Sequence, residues 1–106
     1  MNNEQRNIIR NAVKKYVNDN YSILPTLTHE ELEHVVDTGT TIMAVKWDIE
    51  DSYGSFVKAI VNDKLTDSFG SADGANLKAI RFYVMMKYNM GIPRGLYSMN
   101  DTHSSI

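Results

Sequence analysis

Residues 40–50 read TTIMAVKWDIE, and the interpretation of this stretch decides the fold class. Its larger apolar residues alternate with small or polar ones, and the stretch is rich in residues that favour β-strands. The first set is Met43, Val45, Trp47 and Ile49, and the residues between them are Ala44, Lys46 and Asp48. A period of two is typical of a strand with one buried face, so we predict a β-strand here.

The residues that follow predict a hairpin partner for this strand. EDSYGS, residues 50–55, has the composition of a turn, and SFVKAIVN, residues 55–62, returns as a second strand. KLTDSF, residues 64–69, then forms a short third strand. The apolar residues of this region would also line one face of a helix: Phe56, Val57, Ile60, Val61 and Leu65. Strand and helix therefore both stay open over residues 54–66, and we prefer the strand.

Two helices precede the predicted sheet. Residues 3–18 carry apolar side chains at the spacing of a single helix face. Thr28 and Glu31 have the S/T-x-x-E pattern of a capping box, which marks the start of a second helix. Gly39 suits the end of that helix, which gives a short element over about 29–37.

The last predicted helix covers about 74–90 and is apolar on nearly every side, which indicates burial on more than one side. The sequence thus predicts an α+β fold with two N-terminal helices, a small antiparallel β-sheet of two or three strands, and a long buried C-terminal helix. We expect residues 1–97 to form one compact domain. Residues 98–106 have no apolar pattern and are expected to be a flexible tail.

Composition excludes several classes of chemistry. The 106 residues include no cysteine, which rules out disulfides, thiol nucleophiles and thiolate metal sites. Residues 1–16, MNNEQRNIIRNAVKKY, interleave apolar and charged side chains and predict neither a signal peptide nor a membrane span. We expect a cytoplasmic protein that does not associate with membranes.

Acidic side chains are concentrated in the middle of the chain. Residues 28–51 contain seven acidic residues and one lysine, which gives a net charge of −6 in a chain whose total is −2. The seven are Glu30, Glu31, Glu33, Asp37, Asp48, Glu50 and Asp51. A spaced row of carboxylates steers association with a basic surface. We therefore predict that this acidic row docks on a larger protein with a basic surface.

The segment YNMGIPRGLYSMND, residues 88–101, supplies a candidate apolar anchor for that docking. Tyrosine and methionine give adaptable contact area at a low ordering cost. The predicted contact residues are Tyr88, Met90, Arg94 and Tyr97. Arg94 has two interpretations: it faces solvent where a buried helix ends at Gly91, or it binds an anion through its guanidinium group.

A basic stripe in the first helix offers a second mode of binding. Arg6, Arg10 and Lys14 follow one another at intervals of four residues, so they line up on one face. Such a row could neutralise successive phosphates of a nucleic acid. It could equally be the solvated face of the helix.

The sequence carries no convincing catalytic or metal-binding pattern. HEELEH places His29 and His34 five residues apart, about 140° around a helix, whereas zinc-binding H-E-x-x-H needs one face. Asp48, Glu50 and Asp51 could hold magnesium, but no catalytic partner accompanies them. The sequence lacks a P-loop lysine and a G-x-S-x-G elbow. We therefore expect no enzyme, no metal and no cofactor.

These observations predict a small non-enzymatic binding protein. The preferred interpretation is an inhibitor or modulator of a larger, nucleic-acid-handling protein, recognised through the acidic row. Small domains rich in Asn, Tyr, Met and Ile are typical of phages and mobile elements, which suggests a phage accessory protein. The alternatives are a nucleic-acid-binding protein that uses the basic stripe and a structural protein that assembles into a homo-oligomer.

Overall fold

The helix that begins after Thr28 organises the fold. The computed structural model describes residues 1–96, where the Glu31 amide donates to the Thr28 hydroxyl and the Thr28 amide donates to the Glu31 carboxylate. The capping box predicted from the sequence is therefore confirmed. The helix continues to Lys46, however, instead of ending near residue 37.

The predicted α+β fold is wrong, because the described part of the chain is helical and contains no strand. Its α-helices are α1 (Asn3–Asp19), α2 (His29–Lys46), α3 (Ser55–Val61), α4 (Leu65–Ser71), α5 (Gly74–Lys78) and α6 (Ile80–Asn89), and a 3-10 turn covers Tyr21–Ile23. α1, α3, α5 and α6 pack against α2, and α4 packs mainly against α3. Residues 1–96 thus form a helical bundle around α2.

Residues 40–46 are helical because α2 is surrounded by other helices. Four consecutive side chains of α2, Ile42, Met43, Ala44 and Val45, are buried, so the alternation seen in the sequence does not correspond to one inner and one outer face. The threonines that suggested a strand are accommodated as well. The hydroxyl of Thr40 donates to the Val36 carbonyl at 2.8 Å, the bond that a threonine makes inside a helix.

The end of α2 is set by Asp48 and not by Gly39. Asp48 has φ of 59°, its amide donates to the Val45 carbonyl at 3.1 Å, and the Ile49 amide donates to the Ala44 carbonyl at 2.8 Å. This is the Schellman motif, with aspartate in the left-handed position that glycine usually occupies. Asp48 thus closes the helix, whereas the sequence places it within a strand.

Gly39 lies inside α2 at its closest approach to two other helices. A Cβ atom at this position would lie 3.2 Å from Val13 Cγ1 of α1 and 3.2 Å from Met86 Cε of α6. That distance is shorter than ordinary carbon contacts, so the missing side chain lets both helices approach the α2 backbone. The glycine serves packing rather than helix termination.

The predicted second and third strands are helices α3 and α4, so the hairpin prediction is wrong here too. α3 ends as α2 does: Asp63 has φ of 61°, and the Lys64 amide donates to the Ala59 carbonyl at 2.8 Å. The Asp63 carboxylate accepts a hydrogen bond from the buried ammonium group of Lys87 at 2.6 Å. The turn after α3 is therefore tied to α6.

The predicted C-terminal helix is present but is divided in two. α5 and α6 are separated at Ala79, where the backbone leaves the helical region with φ of −106° and ψ of 7°. The carboxylate of Asp73 caps α5 by accepting the Asn76 amide at 2.9 Å. Tyr83 of α6 is fully buried, and its hydroxyl donates to the Asn76 side chain at 2.6 Å, which joins the two segments. The predicted tail at residues 98–106 lies outside the described residues.

Replacing the residue that closes α2 distinguishes a helix end from a strand. Asp48→Gly should raise the free energy of unfolding by about 0.5–1 kcal/mol, because glycine adopts the left-handed conformation without a steric penalty. Glycine inside a strand would have the opposite effect by a similar amount. Urea denaturation of the two proteins measures the difference, and a destabilised variant would contradict the Schellman end.

The Asp63 carboxylate should contribute stability that depends on pH. The hydrogen bond from Lys87, followed by one from the Tyr88 hydroxyl, lowers the pKa of Asp63 below its ordinary value. Because the folded protein holds the proton less tightly than the unfolded chain, the contribution is present above about pH 4 and is lost on further acidification. Asp63→Asn, which tolerates the same backbone conformation, should be less stable than the parent at pH 7, and the difference should shrink as the pH falls below about 4. Urea midpoints measured across this range test the expectation, and a difference that does not change with pH would contradict it.

Candidate functional site

The predicted acidic row and the predicted basic stripe face each other in the folded chain. Arg10 of α1 forms ion pairs with Glu33 and Asp37 of α2, and its contact with Glu33 is 2.7 Å long. One guanidinium group thus bridges two carboxylates one turn apart. Arg10 belongs to the stripe proposed for nucleic acid, and its two partners belong to the row proposed for a basic protein. These three charges form one ion-pair cluster across the α1–α2 contact.

Two further carboxylates of the row also have partners within the chain. Glu31 binds Lys78 of α5 at 2.7 Å, and the hydrogen bond from this lysine is the chief reason that the pKa of Glu31 lies below its ordinary value. Glu50 accepts the Ser52 amide at 3.1 Å and lies 3.8 Å from the amino group of Met1. Both carboxylates support local structure before any partner binds.

The remaining members of the row are Glu30, Asp48 and Asp51. Glu30 and Asp51 are exposed, and Asp48 closes α2. Glu30 begins the helix that Asp48 ends, so their backbones are separated by about 27 Å at 1.5 Å per residue. These three members of the acidic row, which have no ion pair within residues 1–96, therefore do not form one compact site.

The predicted C-terminal contact residues are not brought together with the acidic row, whereas Arg6 lines a pocket with Asp37 and Lys14 lines one with Glu33. Arg6 and Lys14 are exposed on α1, on either side of the engaged Arg10. Tyr88 is 63% exposed, Met90 packs partly against the core, and Arg94 is exposed in a turn. Tyr97 lies outside the described residues.

An apolar groove that the sequence does not predict runs between α4 and the α5–α6 segment. It has a volume of about 460 Å³. Its apolar lining consists of Leu65, Phe69, Leu77, Ile80, Val84 and Met85. Its charged lining consists of Lys78 and Arg81. A smaller cavity of about 160 Å³ shares Leu65 and Val84 with the groove and extends it towards Tyr88.

The α4 wall of this groove exposes its large apolar side chains and buries a polar one, which is the reverse of an ordinary surface helix. Leu65 is 50% exposed and Phe69 is 57% exposed, whereas the one fully buried side chain of α4 is Ser68. The Ser68 hydroxyl is satisfied by the Leu65 carbonyl at 2.7 Å. A surface helix usually buries its apolar residues and exposes its polar ones. α4 therefore presents an apolar face that nothing in residues 1–96 covers.

The opposite wall follows one face of α5 and α6. Leu77, which is 47% exposed, is followed by Arg81, Val84, Met85 and Tyr88 at helical intervals. Sequence reasoning interpreted the apolar positions of this segment as core on every side, and it interpreted Leu65 and Phe69 as part of a strand. The signal that could have revealed the groove is the excess of apolar positions over those that one core can bury.

Residues 1–96 contain neither a metal-binding cluster nor a membrane-spanning helix. No three histidine, aspartate or glutamate side chains converge there as the ligands of a metal ion would. None of the helices in this part of the chain combines the length and the apolar character needed to cross a membrane. Comparison with known protein families, with curated proteins and with solved structures gave no match to the chain.

The exposed groove should bind an apolar dye in the native protein. Changing Phe69 and Leu77 together to serine removes one large side chain from each wall, so the fluorescence of added anilinonaphthalene sulfonate should fall. Because each substitution removes a half-buried apolar side chain, we expect the free energy of unfolding to fall by about 2 kcal/mol. Tyr21→Ser with Tyr53→Ser, which removes two exposed tyrosines outside the groove, is the matched control. Equal fluorescence in the two double variants would show that the groove is not the dye site.

Proposed function

We propose that the protein is a non-enzymatic binding domain that holds an apolar segment of a larger partner protein in the groove between α4 and α6. The observation that carries this proposal is the inversion of α4, with Leu65 and Phe69 outward and Ser68 inward. Large apolar side chains exposed side by side in a concave surface are typical of protein interaction sites. Occupying the partner in this way would block or alter its other contacts, which is how a small domain inhibits or modulates a larger protein.

The size of the groove supports a helical partner. The α6 part of the wall, from Ile80 to Met85, extends about 8 Å along the helix axis, and Leu77 of α5 lengthens it, which leaves room for about two turns of a bound helix. Helices that dock in such grooves present apolar residues at positions i, i+3, i+4 and i+7. Covering the exposed half of a leucine or phenylalanine contributes about 1 kcal/mol per side chain, so several anchors together give useful affinity.

The chemistry of the lining supports binding rather than catalysis. Apart from Lys78 and Arg81, the residues that line the groove have aliphatic, thioether or phenyl side chains. None of these lining residues is a carboxylate, an imidazole or a hydroxyl that could transfer a proton at neutral pH. A surface of this kind recognises shape and apolar area.

Docking of the acidic row on a basic protein surface is an alternative binding mode with less support than the groove. Glu31, Glu33 and Asp37 already have cationic partners within the chain, and an incoming basic surface would have to compete with Lys78 and Arg10. Glu30, Asp48 and Asp51 are the exposed carboxylates of the row left for such a partner. We therefore place the binding site at the groove and keep the basic partner surface as an alternative.

Nucleic-acid binding through α1 loses its central cation, because Arg10 is paired with two carboxylates. Arg6 and Lys14 alone would give a weak, strongly salt-dependent association.

Self-assembly into a homo-oligomer is the third alternative, and the groove is the surface on which it would occur. The cytoplasmic location and the phage or mobile-element origin expected from the sequence remain predictions.

A neutral amphipathic peptide tests the groove directly. The probe is a fluorescein-labelled helix of about 16 residues, long enough to be partly helical in water, with leucine at i, i+3, i+4 and i+7 and with Gln and Ala elsewhere. We expect a Kd of about 10–100 μM by fluorescence anisotropy. Phe69→Ser with Leu77→Ser should weaken binding about tenfold or more, because two anchors are lost.

The control for this test is the double variant Tyr21→Ser with Tyr53→Ser, which should bind the peptide as tightly as the parent. A scrambled peptide of the same composition, without the leucine stripe, should bind neither protein. Absence of binding by the striped peptide up to about 1 mM would overturn the proposed function. Equal loss in both double variants would also overturn it, because it would place the binding outside the groove.

A further inference from the structure

The charged side chains that line the groove have one sign, and the carboxylate of the adjoining smaller cavity, Asp63, is paired with Lys87. Lys78 and Arg81 line it, three residues apart in sequence and therefore on one side of the α5–α6 wall. Lys78 is already paired with Glu31 of α2 at 2.7 Å. Arg81 is exposed and has no carboxylate within ion-pair distance among residues 1–96. The apolar groove is thus bordered by Lys78, which already has a partner in the chain, and by Arg81, which can bind a carboxylate of another molecule.

We infer that the partner segment is an acidic amphipathic helix, with aspartate or glutamate beside its apolar stripe at the position that meets Arg81. This inference rests on the proposed function, which supplies the helix in the groove, and it adds the charge of that helix. A guanidinium group binds a carboxylate in a planar, two-pronged geometry, and the apolar surroundings reduce the screening by water. Charge complementarity of this kind selects among helices whose apolar faces are the same.

A second copy of the chain fits the groove less well than an acidic partner. A two-fold dimer built on this face would bring the same patch of both copies together, so Arg81 and Lys78 would meet their own equivalents. Like charges brought into an interface oppose association. Asp67, the exposed carboxylate of α4 between Leu65 and Phe69, does not line the groove. The edge charges therefore favour a different molecule.

An anionic membrane surface is the other candidate for a cationic, apolar site, and the shape of the site disfavours it. Leu65 and Phe69 on one wall face Leu77 and Val84 on the other across a concave space, whereas a bilayer is contacted by residues that project from a convex or flat face. A groove with two apolar walls fits a rod of side chains. Binding to anionic vesicles is therefore measured alongside binding to peptides.

The test uses three peptides with the same leucine stripe and different flanks: Glu, Gln or Lys at the two positions that border the stripe. Binding to the full chain is measured by fluorescence anisotropy at low and high salt, about 50 and 300 mM. We expect the Glu peptide to bind about tenfold more tightly than the Gln peptide at low salt, and the Lys peptide to bind most weakly. The advantage of the Glu peptide should shrink at high salt, because exposed charge pairs are screened.

Arg81→Gln identifies the cation responsible. It should remove most of the advantage of the Glu peptide and leave the binding of the Gln peptide nearly unchanged. Arg6→Gln, which removes an exposed arginine of α1, is the matched control and should retain the full advantage. Thermal unfolding of both variants should match the parent, since both side chains are exposed.

The outcomes separate the inference from the function on which it rests. Equal binding of the three peptides would overturn the acidic partner and leave the groove as an apolar binding site. Failure of all three to bind would overturn the proposed function itself. An equal loss for every peptide in Arg81→Gln would mean that the alkyl part of the arginine packs in the site, which overturns the charge-based inference. Binding to phosphatidylcholine vesicles containing phosphatidylserine, with no peptide bound, would overturn it in favour of a membrane surface.

Discussion

The fold depends on the close approach of three helices at Gly39. Val13 of α1 and Met86 of α6 reach the α2 backbone there, each 3.2 Å from the position of a missing Cβ atom. α1 and α6 pack on α2 from two sides at this point, and α2 continues through the contact to Lys46 instead of ending at the glycine. The remaining helices then have only the flanks and ends of α2 to pack on. α3 and α5 take these positions, and α4 is left to pack mainly on α3.

The sequence predicts helix starts better than helix ends in this chain. Starts depend on side chains within one turn, and Thr28 with Glu31 forms the capping box that the sequence predicts. Ends are harder to predict because α2 and α3 finish with aspartate in the left-handed position, which glycine usually signals. The one glycine near the middle of α2 instead marks a packing contact. Local sequence cannot distinguish these two uses of glycine, because the difference lies in residues 26 positions before and 47 positions after it.

Periodicity failed for a related reason. A helix buried on one side keeps a clear period, whereas α2 is contacted on several sides and Ile42 to Val45 are all buried. Over such a run the alternation of large and small residues mimics a strand.

The same limit of local sequence patterns applies to the prediction of the binding site. Charge counts alone gave an acidic row and a basic stripe, but they could not show that Arg10 lies between Glu33 and Asp37. Conversely, Leu65 and Phe69 were assigned to a strand, and only the packing of α4 shows that they are exposed together on one helix.

The burial of Ser68 instead of a large apolar residue has a consequence for how selective the groove can be. α4 is only seven residues long, contains Gly70, and gains little from burying a serine, so it should be among the first helices to open in native-state hydrogen exchange. The opposite wall is anchored by Tyr83 and Met86, which are fully buried. One wall can therefore yield to side chains of different volume while the other keeps its geometry. A groove of this kind would accept a family of related helices, with discrimination residing mainly on the α6 side.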